Sequence, residues 1–481
     1  MNAHVMNRRQ FFKAVSTAGA AAAIASGTAQ AFAAERAADV TAVGDADVNF
    51  SQETEVLVIG AGLSGMMAAY EIASAGHQVL IAEQTAFYGG DAIYSAACMM
   101  CTTAKLTQEE RPEKYATVDT LREKFAPYYE GNEAGLDALM QQQEWGGKWI
   151  DLLHYDWGYE FQPKMEGPYQ QAYFPKNGIC TMHDVFDLID SKVTAAGATY
   201  AYELTLQSLI VDAAGTVCGA RFLSKDGAYE DVKAGTIVIA TGGYISNQEW
   251  VTTYAPEIAD LGNIVSGRTG AGIKAGLAVG GMLSGMKAPG NLNPRYEAGH
   301  MLGVHYPILG LLPNGKRFYC ETAVHAAATG AIAAGYHEWY TIFDSVAMNG
   351  VDQEVLKHAG DAIQTANSLE ELAEGTGLAL DTLQAAFDNW AEICENGEDP
   401  DFGRTLFLQE LQPPYYWIRN VPVRYKSCGG LSVSMRFEVV DAEGNPIPHL
   451  YACGCAAGTE DIVPAAASGM IVGTAIAEDL A

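Results

Sequence analysis

The run Gly60-Ala61-Gly62-Leu63-Ser64-Gly65 carries glycine at the three positions that a dinucleotide pyrophosphate demands. Gly60 suits a tight turn, Gly62 lets the backbone approach the phosphates, and Gly65 lets a helix pack closely on its strand. Glu83 follows 23 residues after Gly60, where an acid accepts hydrogen bonds from ribose hydroxyls. Its charge would repel a 2′-phosphate, which disfavours NADP and leaves FAD and NAD open.

The elements that must position these groups are legible on either side. Glu55 to Ile59 is a β-branched strand that leads directly into the glycines. Met66 to Ala75 reads as a helix stopped by Gly76, and Gln78 to Ala82 is a second apolar strand ending in Glu83. The helix N-terminus offers N–H groups and the positive end of its dipole to the phosphates. From Tyr200 to Ile239 the pattern is short strands, with turns at Ala213-Ala214-Gly215 and Lys225-Asp226-Gly227, ending at Ala240-Thr241-Gly242-Gly243. Ile447 to Gly454 is another strand running into a glycine turn, and Ala465 to Asp479 predicts a closing helix.

Around these motifs lie 481 residues, 49% hydrophobic and 18% charged, a composition that excludes a disordered, collagen-like or coiled-coil chain. The 58 acidic and 28 basic side chains give a formal charge of −30, which disfavours nucleic acid and anionic lipid as partners. Nine cysteines are too dilute for a disulfide scaffold. Asn7-Arg8-Arg9-Gln10-Phe11-Phe12-Lys13 is a twin-arginine pattern, followed by an uncharged stretch to Ala34 with cleavage sites at Ala29-Gln30-Ala31 and Ala31-Phe32-Ala33. Residues 1–33 therefore read as a Tat signal peptide and 34–53 as a linker. This predicts export to the periplasm or extracytoplasmic envelope, with no stable membrane insertion after cleavage; the competing reading is an uncleaved anchor.

The ordered motifs resemble one flavoprotein family, that of fumarate reductases, soluble flavocytochromes c, urocanate reductases and ketosteroid dehydrogenases. The matching stretches are Gly89-Gly90, Ala240 to Gly243, Thr269-Gly270-Ala271-Gly272-Ile273, Asn314-Gly315-Lys316-Arg317-Phe318 with Glu321, and Tyr451 to Gly454. The resemblance spans roughly residues 53 to 481. It implies an α/β chain: a Rossmann-like FAD-binding domain of the GR2 type, with an inserted α+β capping domain. The two segments of the FAD domain fall at 54–285 and 416–481, and the cap at 286–415. One FAD is expected, in contact with Gly60, Ala61, Gly62, Ser64, Gly65, Glu83, Gln84, Gly89, Gly90, Asp91, Ser95, Ala240, Thr241, Gly242, Gly454, Ser468 and Gly469. No His lies in the Gly89 to Ala97 loop, so attachment is expected to be non-covalent, and no CxxCH haem motif occurs.

In the fumarate-reducing relatives a cap Arg donates a proton, while the His of an HTMGG motif and a C-terminal Arg hold the carboxylates. By that correspondence the donor position is His325, the His is Lys426, and the last Arg falls near Val463-Pro464, where no cation exists. A dicarboxylate needs paired cationic clamps, so plain fumarate reduction is disfavoured. Val463 and Ala465-Ala466-Ala467 suggest an apolar pocket for a bulkier, less charged substrate. The steroid branch is echoed in Tyr94-Ser95 and Gly429-Gly430-Leu431, but its catalytic Tyr before Pro464 is replaced by Val463.

The acid–base candidates are His325, Lys426 and Tyr425, followed by His305, Tyr306 and Tyr319. The alternatives are packing of His325 on the Ala326 to Ala328 helix and simple solvation of Lys426. Cys98-Met99-Met100-Cys101 and Cys453-Gly454-Cys455 lack iron–sulfur or zinc spacing, so no metal is expected and both read as buried thiols. Leu369 to Cys394 reads as a helical stretch, and together with Asp401-Phe402-Gly403-Arg404 it reads as scaffold. The expected function is an exported FAD oxidoreductase that reduces an activated C=C bond of an enoate or enone. The donor would be a cytochrome, a quinol-linked protein or a flavin protein. Desaturation of a CH–CH bond, or a flavin electron-transfer subunit without its own substrate, are the alternatives.

Overall fold

The computed structural model describes residues 41–95, 97–163, 171–177, 182–286, 292–295, 302, 306–323, 326–350, 356–357 and 359–481. Its centre is a mixed sheet built around Phe50–Ile59, which pairs in parallel with Val79–Ala82 on one side and Tyr229–Ile239 on the other. Thr199–Ala201 adds outside Val79–Ala82, and Pro446–Ala452 lies parallel to Tyr229–Ile239. Leu204–Val211, Val217–Ser224 and Tyr229–Ile239 form an antiparallel meander through the two expected turns.

Both faces of the parallel strands are covered, which explains their continuous apolar sequence. Side chains alternate across the sheet. Val56, Val58, Val79, Ile81 and Val238 join one core with the helices Leu63–Ser74, His183–Ala195 and Ile462–Leu480. Leu57, Ile59, Leu80, Ile237 and Ile239 join the other, beneath the meander and the helix Ala271–Ala278. The closing helix meets Leu63–Ser74 at van der Waals range through glycines: a Cβ at Gly469 would lie 2.1 Å from the Ser64 carbonyl oxygen, and one at Gly473 would lie 2.5 Å from Glu71 Cβ.

A second sheet, antiparallel, runs in the order Ile308–Leu311, Trp339–Phe343, Tyr415–Asn420, Ile363–Ala366. The expected domain limit at 415 falls at the first residue of one of its inner strands, so the chain leaves this sheet after Asn420. The helical stretch expected over Leu369 to Cys394 is two helices, Leu369–Thr376 and Leu380–Asn396, because Gly377 takes φ of 74° and ends the first.

Beside this sheet Arg317 bonds both Glu321 oxygens (2.8 and 2.7 Å) and both Asp399 oxygens (3.2 and 2.9 Å), while Arg404 reaches Glu321 at 3.2 Å. Arg404 also donates to the carbonyls of Ile308, Leu406 and Phe407. All four side chains are buried, and burial alone would push Asp399 up, but Arg317 holds it below the usual carboxylate range. With each charge answered, the network is scaffold, as the sequence suggested for Arg404.

Candidate active site

Ile59, Ala82, Ile239 and Ala452 stand in register at the carboxyl ends of four parallel strands. The ladder continues one residue further: Gly60 N–H to Ala82 O (2.8 Å), Ala240 N–H to Ile59 O (2.9 Å) and Cys453 N–H to Ile239 O (3.0 Å). The loops beginning at Gly60, Glu83, Ala240 and Cys453 thus open side by side, the crevice where α/β sheets bind ligands. Gly60 has φ of 113°, and a Cβ there would sit 2.4 Å from the Ala240 carbonyl oxygen, so glycine is required.

The residues present fit FAD. Gly62 caps the helix Leu63–Ser74 without a side-chain acceptor, and a Cβ at Gly62 would meet nothing closer than Gly90 Cα at 4.0 Å. The helix N-terminus therefore faces open space that a pyrophosphate can enter. Gly89 N–H bonds Ala61 O at 2.8 Å and seats the Gly89-Gly90 loop against Gly62. Glu83 is buried; Oε2 accepts from Ala61 N–H (2.8 Å), and Oε1 accepts from Thr85 N–H and Oγ1 (both 2.9 Å). The carboxylate is fixed at the strand end with capacity left for a ribose hydroxyl. Thr241 Oγ1 is buried without a protein partner beside this crevice.

Other expected contacts are spent within the fold. Ser95 Oγ donates to Ala92 O (2.8 Å) and accepts from Ala97 N–H (3.2 Å), which shapes the loop after Asp91. Ser468 Oγ accepts from Gly454 N–H (3.0 Å) and donates to Ala465 O (2.8 Å), while Gly469 serves the helix contact described above. Gln84 is exposed next to Gly267, and Ser64 is buried under Gly454.

Sequence reading missed Arg268. Its Nε bonds Asp91 Oδ2 and its Nη2 lies against Asp91 Oδ1, both at 2.6 Å. A Cβ at Gly242 would be 3.1 Å from Arg268 Cδ, so this cation bridges the Gly89-Gly90 and Thr241-Gly242 loops. Burial alone would lower Arg268, but Asp91 holds it above its ordinary value. The available signal was a lone Arg immediately before Thr269-Gly270.

A second polar group gathers next to the crevice. Ser427 Oγ accepts from Tyr244 N–H (3.0 Å), and Tyr244 OH donates to Cys428 O (2.8 Å), pinning residues 427–428 to the Gly242-Gly243 turn. Gly430–Leu431 pairs with Leu283–Ser284, and Gly430 bridges to Ala457. This brings Lys426 onto Asp461, with its Nζ 5.7 Å from the Tyr425 ring centroid. Burial would lower Lys426, but Asp461 and Glu460 hold it above its ordinary value. Glu460, also missed from sequence, is pushed up to about 7 by burial, against the pull of Lys426 and a Cys428 hydrogen bond. Its Oε1 is buried and has no hydrogen-bond partner. Burial raises Cys98 and Cys455 to about 12, which makes them poor nucleophiles at neutral pH.

Val463, expected to line an apolar pocket, packs instead against Gly146, and Ala466 and Ala467 are core residues. Tyr319 is buried under Gly310 of the second sheet. His325, His305 and the Arg8-Arg9 segment lie outside the described residues. Among the described residues, no three His, Cys, Asp or Glu side chains converge as a metal site.

Residues 55–469 match the FAD binding domain family. The chain is 26% identical to digoxin reductase of Eggerthella lenta, covering 94% of this chain and 91% of that protein. It is 24% identical to vinyl phenol reductase of Lactiplantibacillus plantarum, over 83% and 89%. It is also 24% identical to a protein named "probable fumarate reductase" in Shewanella frigidimarina, over 84% and 70%. Among solved structures it superposes with the open flavocytochrome c3 fumarate reductase at a TM-score of 0.70 and 20% identity, covering 89% of this chain and 79% of that one. The 3-ketosteroid-Δ4-(5α)-dehydrogenase of Rhodococcus jostii gives 0.70 and 19%, covering 91% and 99%.

Proposed function

Because the chain belongs to the FAD binding domain family, and its relatives are FAD-dependent oxidoreductases acting on C=C bonds, we propose that it reduces the C=C bond of a neutral or weakly charged conjugated carbonyl compound. The observation that carries this is the charge balance beside the crevice. Its cations, Lys426 and Arg268, already face Asp461 and Asp91. Among the described residues a dicarboxylate such as fumarate would find neither of these cations free, and would have to displace a resident carboxylate to be held by them. A neutral enone or unsaturated lactone needs only hydrogen bonds and apolar contact. The names of the digoxin and vinyl phenol reductases denote neutral or weakly acidic unsaturated substrates, the second an aryl alkene without a carbonyl.

FAD bound non-covalently at Gly60–Gly65, Glu83, Gly89-Gly90 and Thr241-Gly242 supplies hydride for such a reduction. The chain's own residues do the rest: the helix N-terminus balances the pyrophosphate charge, Arg268 and Asp91 hold the glycine loops together, and Glu83 orients the ribose. The second sheet and its helices shield the reacting bond from water. The twin-arginine pattern supports export of the folded, flavin-loaded protein, and a separate redox protein would deliver the electrons, a reading in keeping with the cytochrome in one relative's printed name, "Fumarate reductase (cytochrome)". A desaturase or a pure electron carrier are the competing readings. The test is turnover of enones, unsaturated lactones and enoates with a reduced viologen dye as donor, and of saturated ketosteroids with an oxidised dye as acceptor. Saturated products from the neutral acceptors support the proposal; desaturated steroid, or no product from any alkene, refutes it.

A further inference from the structure

We propose that Glu460 is the acid that gives the substrate its proton, and that Lys426, anchored by Asp461, stabilises the carboxylate left behind. The inference rests on the alkene-reductase reading above. Three elements that rim the cofactor crevice surround Glu460. The first is the segment Tyr425–Cys428, fastened to the Gly242-Gly243 turn by Ser427 and Tyr244. The second is the Gly454–Ala456 turn, where Cys455 Cβ comes within 3.6 Å of a Cβ placed on Gly243. The third is the start of the closing helix, Ile462–Leu480, two residues beyond Glu460.

The titratable and charged groups that face Glu460 from these elements are Lys426, Cys428, Cys455, Asp461 and Tyr244. Beyond them Cys98 and Tyr425 face Lys426, and Asp91 faces Cys455. Of the groups that face Glu460 itself only Lys426 carries positive charge, Arg268 facing Cys455 further out, and Lys426 is held by Asp461, whose side chain is 61% exposed to solvent. Glu460 Oε1 is the buried oxygen with no partner inside the protein. An unanswered buried carboxyl oxygen is costly unless it holds a proton or meets a ligand. Here burial raises the acid to about 7, so that a protonated fraction persists at neutrality, and the elements packed around it are the ones that rim the crevice.

The balance of the step is simple. One alkene carbon receives the hydride of the two-electron reduction. The O–H bond of Glu460 breaks as a C–H bond forms at the other carbon. The O–H electron pair stays on the carboxylate beside Lys426, and the carboxylate regains a proton from solvent.

The experiment uses flavin-loaded Glu460→Gln, Glu460→Asp and His325→Ala proteins, reduced anaerobically with dithionite and mixed with a neutral enone that reoxidises the wild type. General acids contribute ~10²–10⁴-fold, so Glu460→Gln should reoxidise slower by about that factor with unchanged flavin content, and Glu460→Asp should recover part of the loss. Wild-type reoxidation should slow as pH rises through about 7, a dependence that Glu460→Gln lacks. An independent readout is the infrared carboxylic-acid band, recorded in a Glu71→Gln background because Glu71 also titrates near 7. A band that vanishes between about pH 6 and 8, and is absent from Glu460→Gln, supports the assignment; no such band overturns it. If Glu460→Gln loses its flavin, the background protein's band and the Glu460→Asp rate decide. Wild-type rates in Glu460→Gln, with the loss found in His325→Ala instead, overturn the inference while sparing the reductase reading. A wild type that no alkene reoxidises overturns both.

Discussion

Gly62 and Glu83 make the most direct residue-level claims on the cofactor. The open space over Gly62 is what lets a pyrophosphate approach the helix N-terminus. Gly62→Val should therefore yield protein with little or no FAD, while Glu83→Ala should bind it more weakly. The flavin-to-protein absorbance ratio after gel filtration checks both. Glu71 supplies a pH prediction. Its carboxyl is partly buried against the closing helix and raised from 4.5 to about 7 by burial. A carboxyl with a raised folded pKa stabilises fully below its unfolded value, and that stability is lost as pH climbs towards the folded value. Glu71→Gln should therefore gain on the wild type progressively from about pH 4.5 to 7, by at most about 3 kcal/mol, and gain no more above that. Thermal melts at a series of pH values measure the difference; a constant difference would contradict it.

At the level of elements, the buried network of Arg317, Glu321, Asp399 and Arg404 ties the second sheet to the loop after Asn396. Removing one partner leaves the opposite charge buried and uncompensated, typically at a cost of about 3–5 kcal/mol. Arg404→Leu should lower the melting temperature clearly without changing the flavin's dissociation constant, because the network does not touch the glycine loops.

The elements also show what was readable in advance. Strands and glycine turns of the dinucleotide unit are local patterns, so Leu63–Ser74 and Val79–Ala82 were foreseen to within three residues. The stretch 34–53 was not a mere linker, because Val43–Gly44 pairs with Leu204–Val211 and the central strand begins at Phe50 rather than Glu55, where polar side chains on an exposed strand end hid it. The ion pairs were not foreseen, since Arg268 meets Asp91 across 177 positions and Lys426 meets Asp461 across 35. Val463 was misjudged for a related reason. Composition near Pro464 suggested a pocket wall, but nothing local reveals that Gly146 of a distant helix leaves room for that side chain.

Across the whole molecule, a cofactor cradle on one sheet edge adjoins a polar cluster whose charges are answered internally. The non-covalent binding proposed above predicts that acid precipitation releases FAD into the supernatant; colour retained in the pellet would indicate a covalent bond. The central claim is that this site reduces neutral conjugated alkenes and discriminates against dicarboxylates. Its most direct test is stopped-flow reoxidation of the anaerobically reduced holoprotein with a cyclic enone and with fumarate at equal concentration. The account predicts rapid return of oxidised-flavin absorbance with the enone and little or none with fumarate. Fast reoxidation by fumarate with none by the enone would contradict it.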